Sequence, residues 1–132
     1  MVLVLIILVV FGAWVWWNYH RIHTAAKFIS NDEFSTLIHN NQLLDIRSPE
    51  AFRKRHILGA RNFPAVQLKQ TLVSLKKDKP ILIYDNAKSS SLGNAVLLLR
   101  KSGFKEIYVL KDGFEYWNGK TIYFSLFQKL TC

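Results

Sequence analysis

Cysteine is almost missing from this chain: of 132 residues only Cys132 carries a thiol, and it has no partner to pair with. A disulfide-stapled secreted fold is therefore excluded, and the single thiol fits a reducing compartment. Acidic residues are scarce as well, 9 Asp and Glu against 18 Lys and Arg, for a formal charge of +9. Repeats and low-complexity stretches are absent. With 50% of residues apolar and 20% charged, wholesale disorder is excluded too. The length admits one domain plus an appendage and rules out a two-domain enzyme.

Charge is lacking altogether from Met1 to Trp17. As a helix, residues 1–19 would span about 28 Å at ~1.5 Å per residue, close to the ~30 Å hydrocarbon core of a bilayer. Trp14, Trp16, Trp17 and Tyr19 gather at one end, where amphipathic rings favour the headgroup level, and Arg21 and Lys27 follow. A cleaved signal is the competing reading. The run lacks a positively charged leader, and only Thr24-Ala25-Ala26 offers small residues after it. The expected organisation is a transmembrane anchor over residues 1–19, a linker over 20–27 and a folded domain over 28–132. All 18 Lys and Arg follow the run, which predicts a single-pass protein with its N-terminus outside and the domain in the cytoplasm.

A tethered domain this basic can lie against anionic lipid. Nucleic acid is not the expected partner, since basic residues and aromatics do not interleave in a binding motif. Lys76-Lys77-Asp78-Lys79 is a short run and reads as solvated surface. An anionic lipid and a protein partner both stay open, and the oligomeric state is not encoded in the pattern.

In the domain, Ser30-Asn31-Asp32-Glu33 is a capping box that starts a helix running to about His39. Leu43-Leu44-Asp45-Ile46 reads as a short strand. Ser48-Pro49-Glu50 then caps a helix near 49–54, with Pro in the first turn. Ile81-Leu82-Ile83-Tyr84 is apolar without alternation, as for a strand covered on both faces of a parallel sheet. A polar loop, Asp85-Asn86-Ala87-Lys88-Ser89-Ser90-Ser91, follows it. Leu92, Ala95, Val96 and Leu99 then recur at helical spacing, Arg100 and Lys101 suit the negative helix end, and Gly103 supplies the stop. Ile107-Tyr108-Val109-Leu110 is a second buried-type strand. The alternation predicts an open α/β parallel sheet with helices on both faces. Ligands of such sheets bind at the carboxyl ends of strands, so residues 85–91 are the candidate site, with loop amides converging as an anion cradle.

Two stretches carry a resemblance. Leu44-Asp45-Ile46-Arg47-Ser48-Pro49-Glu50-Ala51-Phe52 with His56-Ile57-Leu58-Gly59-Ala60-Arg61-Asn62-Phe63-Pro64 forms the first, and Gly113-Phe114-Glu115-Tyr116-Trp117 the second. Together they resemble the two signatures of the rhodanese-like family, over roughly residues 27–119. The resemblance implies the rhodanese-like fold and sulfurtransferase chemistry. Catalytic members carry a cysteine as the first residue of the loop after the central strand. That thiolate takes sulfur as a persulfide, stabilised by loop amides and the helix dipole.

The corresponding position here is Asp85, and Lys88 stands where that pattern has glycine, while Ser90 and Ser91 match. A carboxylate oxygen has no route to a persulfide. As an anion it would itself occupy the cradle, held by loop amides, by Lys88 or by both. The expectation is thus a domain inactive as a sulfurtransferase that works as a binding or regulatory module. Asn86, Ala87, Lys88, Ser89, Ser90 and Ser91 form its anion loop, and Asp45, Arg47, Glu50 and His56 form a framework beside it. The alternatives are an active sulfurtransferase using an external or unusual thiol, a phosphatase-like enzyme using Asp85, and a basic membrane-surface scaffold. Aspartyl-phosphate chemistry needs a metal-binding acidic neighbour, which the loop lacks. His20, His23 and His39 lack the paired spacing of a metal site, and no cofactor or metal is expected. The apolar segment 121–130 reads as a helix or strand closing the core, or as a face for a membrane or partner.

Overall fold

The computed structural model describes residues 1–87 and 90–123. Helix α1 (Val2–Ala25) leads into strand β1 (Lys27–Ile29) and helix α2 (Asn31–Leu37), which tightens into a 3-10 turn over Ile38–Asn40. Strand β2 (Gln42–Asp45), helix α3 (Pro49–Lys54) and the short strands β3 (Arg55–Ile57) and β4 (Arg61–Asn62) follow. After the single-turn helix α4 (Leu68–Thr71) come β5 (Ile81–Tyr84), α5 (Ser90–Lys101), β6 (Ile107–Leu110) and β7 (Thr121–Tyr123). Five strands form one sheet in the order β1-β6-β5-β2-β4, every pairing parallel. β3 and β7 pair antiparallel as a separate ribbon.

The local signals act as their chemistry requires. The Ser30 hydroxyl accepts the Glu33 N–H at 3.4 Å and starts α2, and the Ser48 hydroxyl accepts the Ala51 N–H at 3.3 Å and starts α3. Gly103, at φ +102°, ends the turn after α5. The unbroken apolar character of β5 has a direct cause. Ile81 and Ile83 face a core filled by Leu92, Ala95, Val96 and Leu99 of α5. Leu82 and Tyr84 face the opposite core, with Phe34 of α2, Ile57 and Trp117. Each face is covered, so neither residue set is polar.

Two features differ from the sequence reading, and a third falls within it. Residues 20–25, expected to be linker, continue α1, because Ala25 and Ala26 are buried in the α5-side core and α1 packs on α5. Lys27–Ile29, at the edge of that expected linker, is an edge strand beside β6. Of the segment 121–130, Thr121–Tyr123 is strand, with Ile122 opposite His56. The remainder and Cys132 lie outside the described residues. At the other end, Val2–Arg21 is long and apolar enough to cross a membrane, with a mean hydropathy of 2.1 and none of it buried inside the domain.

Candidate functional site

β2 and β5 lie side by side with Asp45 opposite Tyr84, so the loops that follow them open on the same edge of the sheet. The turn after β2 is built around a buried ion pair. Arg47 Nη2 donates to Asp45 Oδ2 at 2.6 Å, Nε donates to Oδ1 at 2.9 Å, and the Arg47 backbone N–H also donates to Oδ1. Asn62 clamps this turn from β4, its Nδ2 donating to the carbonyls of Asp45 and Arg47 at 3.1 and 3.0 Å. The guanidinium lies over the Phe114 ring, 4.1 Å from its centroid, and near Tyr84. It also donates to the Arg55 carbonyl and, at 3.4 Å, to Asn86 Oδ1. Arg47 thus joins the turn after β2, the start of β3, the loop after β5 and the segment after β6.

Burial alone would lower the Arg47 pKa, but the hydrogen bond and charge of Asp45 outweigh it and the pKa is raised. Tyr84 moves the same way for a different reason. Burial of the phenol is the main cause and the Asp45 charge adds to it, while the Ile57 N–H donated to its oxygen at 3.1 Å works in the opposite sense. Both groups are held in the protonated state.

Asp85 opens the loop after β5. Its carbonyl accepts the Phe114 N–H at 2.9 Å, and the Asn86 carbonyl accepts the Glu115 N–H at 3.4 Å. Gly113 makes this strap possible. It sits at φ +81°, and a β-carbon there would lie 2.2 Å from the Asn86 carbonyl oxygen. The half-buried Asp85 carboxylate accepts the Asn86 N–H at 2.7 Å. It borders an open cavity of about 340 Å³ whose lining includes Arg47, Ser48, Val66, Asn86 and Ser91. The sheet therefore places a pocket at the carboxyl ends of β2 and β5.

The expected site residues separate into groups. Asp85, Asn86, Ser91 and Arg47 meet at the cavity, and Asp45 holds Arg47 from beneath. Ser90 begins α5 with its side chain exposed, and the exposed Ala87 lies against Gly113. Lys88 and Ser89 lie outside the described residues. Glu50 was expected to share the Asp45–Arg47 network, and it does not. It is exposed in the first turn of α3, where its charge suits the helix dipole, while the Arg55 carbonyl and the Phe114 ring take its place around Arg47. His56 is a framework residue: its Nδ1 donates to the Phe52 carbonyl at 2.7 Å and its ring stacks on Phe52 at 3.8 Å. Sequence reasoning missed Phe114 and the Tyr84 hydroxyl, although Phe114 lies inside the second signature.

Comparison with known proteins agrees with this architecture. The family model described as the rhodanese-like domain matches residues 30–120. The chain belongs to the rhodanese-like domain family. It is 40% identical over 119 residues to the uncharacterized protein YqhL of Bacillus subtilis, spanning 88% of this chain and 94% of that one. It is 32% identical over 93 residues to the thiosulfate sulfurtransferase GlpE of Coxiella burnetii, spanning 69% and 86%. The solution structure of the rhodanese-like domain of the Anabaena protein Alr3790 superposes with a TM-score of 0.65 at 26% identity, covering 73% of this chain and 78% of that one. In this rhodanese-like domain the chain's only cysteine, Cys132, is outside the described residues, and the residue at the head of the loop after β5 is a carboxylate.

Proposed function

We propose that this chain is a membrane-anchored rhodanese-like domain that binds at its β5 loop and does not carry sulfur. The observation behind the reading is the identity and setting of Asp85. It stands where sulfur transfer needs a thiolate, and its carboxylate already takes the Asn86 N–H of the loop. An oxygen nucleophile cannot store sulfane sulfur as a persulfide, and the negative charge repels thiosulfate from the amides that would bind it. The domain then acts as a binding or regulatory module, tethered by α1 and held on the cytoplasmic side by the basic residues that follow the span.

The test is thiosulfate:cyanide sulfurtransferase activity of the wild type, Asp85→Cys and Cys132→Ser. The wild type is expected to show no turnover above background, and Asp85→Cys a gain. Similarity to GlpE favours a second reading, an active sulfurtransferase working through another thiol. That reading requires wild-type turnover that disappears in Cys132→Ser, or a persulfide seen by intact mass after thiosulfate treatment. Either result would overturn the first.

A further inference from the structure

A further cavity lies away from the β5 loop. About 700 Å³ opens between the C-terminal ends of α1 and α5, lined by Arg21, Thr24, Arg100 and Lys101 over a floor of Ala25, Leu97 and Leu98. A second hollow of about 330 Å³ continues it around the end of α1, sharing Thr24, Ala25 and Arg100 and adding Lys27, Lys105 and Glu106. Five cations and one carboxylate thus surround the point where the apolar helix enters the domain. Two helix C-termini meet there, and their partial negative charges account for part of this excess, roughly half a charge each. Glu106 offsets one more, which leaves about three of the five cations in excess among the described residues. Arg100 donates to the Lys105 carbonyl, which holds one guanidinium at the rim, and Arg21, Arg100 and Lys101 are all exposed.

Position decides the ligand. Trp14, Trp16, Trp17 and Tyr19 mark the interface end of α1. At ~1.5 Å per residue, Arg21 and Thr24 lie about 3 and 7.5 Å beyond Tyr19 along the axis. A headgroup layer is roughly 5–7 Å deep on each side of the hydrocarbon core. The cavity opens within that layer at Arg21 and reaches its outer edge at Thr24, with basic walls and an apolar floor.

We propose that the groove between the C-terminal ends of α1 and α5 binds the phosphate of an anionic phospholipid headgroup through Arg21, Arg100 and Lys101. The proposal rests on α1 being a membrane span, and it adds a site that the β5-loop reading does not contain. It would hold the domain down on its sheet-edge side and set its orientation on the bilayer.

The experiment uses the full chain reconstituted in vesicles of phosphatidylcholine alone and in phosphatidylcholine with phosphatidylglycerol. First, extraction at alkaline pH from the neutral vesicles checks the span: release would overturn both the anchor and the site, whereas retention isolates the site. Native mass spectrometry of the detergent-solubilised chain then counts phosphatidylglycerol retained over phosphatidylcholine. Each cation at an anionic headgroup is worth about fivefold in affinity. The R21Q/R100Q/K101Q variant is expected to lose at least ~10-fold of the preference, and R21Q/K101Q, which spares the Arg100 hydrogen bond, at least ~5-fold. K69Q/K76Q/K79Q removes the same charge elsewhere and is expected to stay within about twofold. Equal losses in both triple variants would reduce the effect to net charge and overturn the site. So would millimolar inorganic phosphate displacing the lipid, because the groove would then be a soluble-anion site.

Discussion

Asp45 ends β2, Asp85 follows the neighbouring parallel strand β5, and the two serve opposite ends. Asp45 is fully buried and spends its carboxylate on Arg47. Asp85, one position past the end of β5, is half-buried at the cavity, where it accepts the Asn86 N–H. The same side chain is structural in one place and lines a solvent-open cavity in the other. Depth decides this. A buried carboxylate must be matched by a cation and hydrogen bonds, whereas a carboxylate at a cavity wall keeps part of its hydration.

The contrast is broken most severely by removing Arg47. Arg47→Ala strands Asp45 as an unpaired buried charge and is expected to destabilise the fold by about 3–5 kcal/mol, read from denaturant midpoints of the full chain in detergent. A loss under about 1 kcal/mol would mean that water reaches Asp45. Gly113→Ala comes next. It forces a β-carbon into the Asn86 carbonyl at a φ that non-glycine residues avoid, an expected loss of at least ~1–3 kcal/mol. It would also raise hydrogen exchange at the Phe114 amide, which caps the Asp85 carbonyl.

Tyr84→Phe sharpens the comparison through pH. The folded phenol has its pKa raised above the ordinary value of 10. The protonated form is therefore favoured by folding: this contribution is whole below pH 10, and stability falls as pH rises above it, where the unfolded chain ionises and the folded one does not. In Tyr84→Phe that part of the alkaline slope is expected to vanish, and the unpaired Ile57 N–H to lower neutral stability by about 1–3 kcal/mol. The smallest effect belongs to Asp85→Asn, whose amide oxygen can still accept the Asn86 N–H, and it is expected to shift stability by no more than about 1 kcal/mol. A large loss there would place Asp85 with Asp45 as a structural residue and remove the division between the two.

Much of the fold was readable from local patterns. The β5-loop-α5-β6 unit follows from an apolar run, a polar loop, a helical stripe and Gly103, because each of these signals is set by neighbours in the chain. The caps at Ser30 and Ser48 are local in the same sense. The end of α1 was not readable. Residues 20–25 look polar enough for a linker, and only the burial of Ala25 and Ala26 against the α5 side shows why the helix continues. Glu50 was misplaced for a related reason. It is near Arg47 in sequence, yet Arg47 turns toward Asp45, the Arg55 carbonyl and Phe114, and that last ring arrives from the far end of the domain.

The order of residues alone determined an apolar N-terminal helix, a basic α/β domain and a carboxylate at the head of the loop after β5, because composition and short-range periodicity carry those properties. Tertiary structure decided which of two aspartates is buried and which cations gather where α1 meets α5. Those outcomes depend on desolvation and on charges brought together by strands and helices distant in the chain, and no local pattern records that convergence.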